Sequence, residues 1–265
     1  MFGAQSAWRI RLVSRIILRP TRDPLEASHL QRLVVQVRGL KQELFCSTHS
    51  LDDPPPRIWF LKIPGSSGRA EKATAFPAEL IPFPAAVLTW NPPGYGASEG
   101  EANLQLAADL LPEVVEAAVQ TLKWATVPMF AMGTSLGGAL SVHLCTQRDL
   151  AGIILCNPPS LPELLLGYNR WWNLMCGGRW LSQSVPLPLH TISSVQRIST
   201  PGVLITSLAD QVVPPELQHR IAKNYAGPLK VIEVADADHR LRMADLPLAE
   251  IRPAVQWLLS QAGIE

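Results

Sequence analysis

Ser135, Asp210 and His239 occur in that chain order, and each follows a short apolar run. Those three side-chain types together support nucleophilic chemistry. A hydroxyl attacks, an imidazole takes its proton, and a carboxylate keeps the imidazole in the right tautomer. Ser135 stands out through its neighbours. Gly133-Thr134-Ser135-Leu136-Gly137-Gly138 lies between an apolar run, Val127 to Met132, and a helical pattern, Ala139 to Gln147. Gly-x-Ser-x-Gly between strand and helix is the context of a nucleophile elbow, whose sharp turn lifts the hydroxyl to the carboxyl edge of a sheet. Glycine, lacking Cβ, avoids the adjoining strand and helix. The turn also puts the serine at a helix N-terminus, where backbone N–H groups favour negative charge. The competing structural reading is a tight strand-to-helix turn with serine as a cap. The glycine spacing does not fit a dinucleotide fingerprint, and no Gly-Lys-Ser/Thr follows as a phosphate loop requires.

A serine hydroxyl needs a positioned base, and histidine, with an ordinary pKa of about 6.5, suits best. Six histidines are present. His29 and His49 precede the sheet core, His143 lies two helical turns past Ser135, His190 closes the expected insertion and His219 falls within a helix. His239 follows the last expected strand in Ala235-Asp236-Ala237-Asp238-His239-Arg240, where a loop can reach the nucleophile. The order Ser, acid, His then directs attention to Asp210, in the loop after the preceding strand. Its structural alternative is an N-cap or Asx-turn aspartate. Asp236 and Asp238 are rival acids, too near His239 in sequence to hold its ring from behind. Asp-x-Asp-His also hints at a metal site, but no further ligands accompany it.

Acyl transfer builds charge on a carbonyl oxygen, which two N–H donors should meet. The N–H of Leu136, directly after the nucleophile, is one expectation. The other is the N–H of Ser66, in the loop Pro64-Gly65-Ser66-Ser67-Gly68. An ordinary glycine-rich turn is the alternative there.

These residues need a scaffold. Val34 to Val37 and Leu44 to Cys46 read as a strand pair turning at Arg38-Gly39. Arg57 to Ile63, Ala86 to Trp90, Val127 to Met132, Ile153 to Cys156, Gly202 to Thr206 and Lys230 to Val234 read as further strands. Helical spacing marks Leu104 to Lys123, with Pro112 expected to kink or split it, then Pro215 to Tyr225 and Leu248 to Gln261. Strand–helix–strand alternation implies a mostly parallel sheet with helices on both faces. The rhythm breaks at about 160–190, which reads as a small, partly helical lid. Residues 1–30 read as a basic helical lead-in to a domain over 31–265.

Composition excludes several classes. With 47% hydrophobic and 17% charged residues the chain can bury a large core. A net charge of +1 and the lack of interleaved basic and aromatic residues argue against nucleic-acid binding. The four cysteines form no C-x-x-C pair, so they suggest neither zinc nor a disulfide framework, and favour a reducing, cytoplasmic setting. From Trp8 to Arg19, arginines interrupt the apolar residues too often for a signal peptide or a spanning helix. This segment reads first as a terminal helix packed on the domain. Its second reading is weak contact with a membrane surface.

Taken together, the motifs resemble those of the α/β-hydrolase superfamily, nearest its bacterial single-domain serine hydrolases of esterase or peptidase type. The elbow, the loop Asn91-Pro92-Pro93-Gly94-Tyr95-Gly96-Ala97-Ser98-Glu99-Gly100, the acid turn Leu208-Ala209-Asp210-Gln211-Val212-Val213-Pro214 and Asp238-His239 carry the resemblance, over Val34 to Ala262. One departure is Pro64-Gly65, where the superfamily usually has His-Gly. The resemblance implies two-step hydrolysis of a small-molecule acyl substrate, with no cofactor. An ester is favoured because leaving alkoxides ask least of the site. A peptidase, thioesterase or acyltransferase would use the same triad, and a non-catalytic binding scaffold is the rival of another class. Tyr95, Trp171 and Trp172 are candidates to line the acyl pocket; the tryptophans serve equally well as pins for the lid.

Overall fold

Arg38 and Gly39 carry the chain through positive φ angles of 50° and 77°, the two-residue turn that matches hairpin twist. It joins β1 (Gln31–Val37) to β2 (Leu40–Cys46) in a register running from Gln31↔Cys46 to Val37↔Leu40. Toward the turn, β1 buries every second residue, as a strand with one solvated face should. The computed structural model describes residues 5–167, 177–241 and 245–264. Within them follow β3 (Ile58–Ile63), β4 (Ala85–Trp90), β5 (Met129–Thr134), β6 (Gly152–Cys156), β7 (Gly202–Ser207) and β8 (Leu229–Val234). All eight form one sheet in the order β1-β2-β4-β3-β5-β6-β7-β8. β1 and β2 attach antiparallel at one edge, and every pairing from β4 to β8 is parallel. β4, β6 and β7 are buried throughout, which is why they read as continuous apolar runs.

Among the described residues the α-helices are α1 (Gln5–Ile17), α2 (Leu104–Leu122), α3 (Leu136–Cys145), α4 (Leu161–Gly167), α5 (Gly178–Ser182), α6 (Thr191–Val195), α7 (Pro215–Asn224) and α8 (Leu248–Gln261). One core layer joins Leu110 and Val114 of α2, Leu144 of α3 and Ile221 of α7 to Leu61, Leu88 and Leu155 of the sheet. The other sets Ile251, Val255 and Leu258 of α8 against Phe60, Phe130 and Val203. Since β5, β7 and β8 run parallel, the loops carrying Ser135, Asp210 and His239 all leave the same edge of the sheet.

Pro112 does not split α2, contrary to one expectation; the helix runs unbroken from Leu104 to Leu122. Asn103 caps its start, its side chain accepting the N–H groups of Gln105 and Leu106. Proline has no N–H for the Ala108 carbonyl four residues earlier. His143 of α3 donates its Nε2–H to that carbonyl at 3.2 Å instead. The lost helix bond is thus replaced by one between helices.

α1 packs on the domain through Val13 and Ser14, and Ser14 Oγ accepts the Leu104 N–H at 3.0 Å. α4 and α5 flank residues 168–176; Trp171 and Trp172 lie outside the described residues.

Candidate active site

Ser135 has φ 51° and ψ −123°, a conformation costing a residue with Cβ roughly 1–3 kcal/mol. The surroundings enforce it. A Cβ on Gly137 would lie 1.9 Å from the Ile63 carbonyl oxygen, and one on Gly133 2.2 Å from that of Gly137. The Ser135 N–H donates to the Cys156 carbonyl at 2.8 Å, and the Ser135 carbonyl accepts from Gly138 N at 2.7 Å. The turn is therefore wedged between β3 and β6.

His239 Nε2 lies 2.9 Å from Ser135 Oγ, and His239 Nδ1 lies 2.7 Å from Asp210 Oδ2. A carboxylate only accepts, so Nδ1 carries the ring proton and Nε2 is left to accept the serine hydroxyl. The Asp210 side chain is fully buried, whereas the His239 side chain is 19% exposed. Asp210 Oδ1 accepts the N–H groups of Val212 and Val213, each at 2.8 Å. These donors offset the loss of hydration around a buried charge. Asp236 and Asp238 are exposed, and Asp238 accepts the Arg240 N–H at 2.8 Å. His143, His190 and His219 are engaged elsewhere, with Ala108, Val185 and Glu233.

The loop after β3 passes beside the nucleophile: a Cβ on Gly65 would touch Ser135 Cβ at 3.4 Å. The Gly65 carbonyl closes a turn by accepting Gly68 N at 3.0 Å. In a trans peptide the Ser66 N–H points the opposite way, out of that turn. The Ser66 carbonyl is held by two donors, Tyr95 Oη at 2.6 Å and Arg19 N at 2.9 Å. Tyr95 is only 2% exposed and braces this loop from within the protein. Burial pushes its phenol up to about 12, so it remains a neutral donor. Leu136 begins α3, where helical N–H groups lack partners inside the helix.

Two asparagines, one directly after β4 and one directly after β6, act as braces. Asn91 Oδ1 accepts the Ala70 N–H at 2.8 Å, and its amide donates to Glu43 and Glu71. Arg69 pairs with Glu71 in the same buried cluster. This cluster anchors the far end of the Gly65 loop. Asn157, at φ 49°, donates to Ser207 Oγ and to the His239 carbonyl and accepts the Ser207 N–H. It ties the histidine loop to β7. The repeated Asn-Pro-Pro after β4 and after β6 is the signal that could have found both. Beside Gly65 and Thr134 opens a cavity of about 250 Å³, with Lys62 in its wall. Lys62 donates to the Thr74 carbonyl at 3.1 Å, and burial lowers its pKa to about 8. Among the described residues no group of three or more His, Cys, Asp or Glu side chains is arranged to hold a metal ion.

No family model matches the chain. It is 30% identical over 181 residues to an uncharacterized protein of Mycobacterium tuberculosis, covering 65% of this chain and 58% of that one. The chain thus spans under three-fifths of the length of the curated relatives it matches. Acetyl xylan esterase 1 from Thermoanaerobacterium superposes with a TM-score of 0.67 at 12% identity, over 97% of this chain and 94% of that one. Est1E of Butyrivibrio proteoclasticus with bound ferulic acid gives 0.65 at 18% identity, over 87% and 99%. The Pyrococcus furiosus esterase Pf2001 gives 0.65 at 14%, over 92% and 98%. At such identities the likeness establishes the fold and no more.

Proposed function

We propose that this chain, which has the α/β-hydrolase fold, is a serine hydrolase that cleaves carboxylic esters of small molecules through a Ser135–His239–Asp210 triad. The observation that carries the reading is the unbroken hydrogen-bond chain from Ser135 Oγ through His239 to Asp210, at 2.9 and 2.7 Å. Esterases among the solved structures of like fold lend it support.

In the first step Ser135 Oγ attacks the ester carbonyl carbon while His239 Nε2 takes the hydroxyl proton. The imidazolium that forms is stabilised by buried Asp210. The carbonyl oxygen, now an oxyanion, is met by the N–H groups of Leu136 and Ser66. His239 returns the proton to the departing alkoxide, leaving an acyl-serine and an alcohol. Water, deprotonated by His239, then attacks the acyl-serine; the acyl–oxygen bond breaks, His239 returns the proton to the serine oxygen, and the acid is released.

Labelling by a fluorophosphonate probe tests this reading. The native chain should label, and Ser135→Ala and His239→Ala should not. A panel of short acyl esters should then show turnover by the native chain, with Ser135→Ala slower by at least about 10⁴-fold. A native chain that neither labels nor turns over any ester, although folded, would sink the proposal and favour a binding role for the same fold.

A further inference from the structure

α1 has two apolar sides, and the fold buries only one of them. Val13 and Ser14 are buried against the domain, with Leu18 just beyond the helix. On the other side Trp8, Leu12 and Ile16 recur every four residues and are 54%, 40% and 44% exposed. At about 100° per residue these three form one stripe. Arg11 and Arg15 flank it on one edge and Arg9 on the other, and no acidic residue occurs before Asp23. A face meant only for water would carry polar residues at these positions.

We propose that this outward face of α1 is a docking surface for an anionic lipid bilayer. The helix would lie in the plane of the interface, since no helix among the described residues is long and apolar enough to cross a membrane. Leucine and isoleucine enter the acyl boundary, and the arginines extend to lipid phosphates. Tryptophan suits such a boundary because its ring is apolar and its N–H is polar. The surface extends beyond α1: the Trp8 ring lies 5.1 Å from that of Trp180 in α5, and the Arg9 guanidinium sits 4.8 Å over Trp180. Charge selects the occupant. Glu101, 3.7 Å from Arg11, offsets one arginine, and both side chains are more than half exposed. The remaining positive charge would repel a second copy of the same face and attract anionic headgroups. The inference rests on α1 and does not depend on the Ser135 reaction.

Sedimentation of the full chain with vesicles tests it. The native protein should pellet with phosphatidylglycerol vesicles at low salt and be released by high salt. It should bind pure phosphatidylcholine vesicles far more weakly. Leu12→Gln with Ile16→Gln should lower partitioning about tenfold or more, while the circular dichroism spectrum and melting temperature stay native. Arg11→Gln with Arg15→Gln should lower it about thirtyfold at low salt, from roughly 1 kcal/mol per arginine. Three results would overturn the proposal. The native chain stays in the supernatant with phosphatidylglycerol; the Leu12/Ile16 variant pellets like the native chain; or binding to the two lipids is equal. A vesicle-indifferent dimer that the Leu12/Ile16 variant dissociates would reassign the stripe to self-association.

Discussion

Two loops flank Ser135, and they are held by different means. The elbow is held by backbone against backbone: Gly133 and Gly137 let it approach its own helix and β3 to distances that no Cβ survives. The loop from Pro64 to Arg69 is held by strangers. Its Ser66 carbonyl hangs on Tyr95 and Arg19, 29 and 47 positions away, and its end is pinned by Asn91 through Ala70. A turn held by close backbone packing is rigid but intolerant of change. A loop held by distant donors loses them one at a time, so its failures should be graded.

Gly137→Ala attacks the first loop and should have the largest effect on the fold. The new Cβ meets backbone on β3, which cannot swing aside, so a loss of about 3 kcal/mol or more is expected. A melting temperature lower by about 6–12 °C, or no soluble protein, would agree. A native melt would mean the elbow is looser than its contacts imply. Asp210→Asn leaves the elbow intact and changes only what holds the imidazole. Rates should fall about 10³–10⁴-fold with the melt nearly unchanged, because the wrong ring nitrogen would then carry the proton. A drop below tenfold would remove Asp210 from the triad.

Tyr95→Phe probes the second loop. Ser66 keeps the Arg19 donor but loses the hydroxyl, so a threefold to tenfold fall in kcat is expected, from about 1 kcal/mol of hydrogen bonding. KM should barely move if the loop acts on the oxyanion. A rise in KM with unchanged kcat would instead give Tyr95 a role in substrate binding. The smallest effect concerns His143. Burial lowers its pKa below the usual 6.5, so the unfolded chain binds that proton more readily than the folded one. Its contribution is therefore complete above about pH 6.5 and is lost as pH falls toward the folded-state value. His143→Gln retains a donor for Ala108 and should flatten that part of the profile. Urea melts at pH 5.5 and 7.5 compare the two, and an equal acid loss in both would exclude His143 as the cause.

Much of the scaffold was legible because parallel strands buried on both faces leave unbroken apolar runs, as in β4, β6 and β7. Boundaries shift by one to four residues, most where polar residues join a strand, as at Gln31 and Lys41. Pro112 misled because its consequence depends on His143, which only packing brings to Ala108. The bracing roles of Asn91 and Asn157 are not legible in the sequence because a side-chain amide acquires its role only from partners on other elements.

Sequence by itself determined the elbow, the order Ser135, Asp210, His239, and the mixed basic and apolar character of the segment that forms α1. These are local properties: glycine placement, spacing and helical period need no distant partner to be read. Tertiary structure decided which of six histidines meets Ser135, which of three aspartates meets that histidine, and what braces Ser66. Hydrogen bonds require approach to within about 3 Å. Residues 104 and 29 positions apart reach that distance only after the sheet has brought the ends of β5, β7 and β8 to one edge.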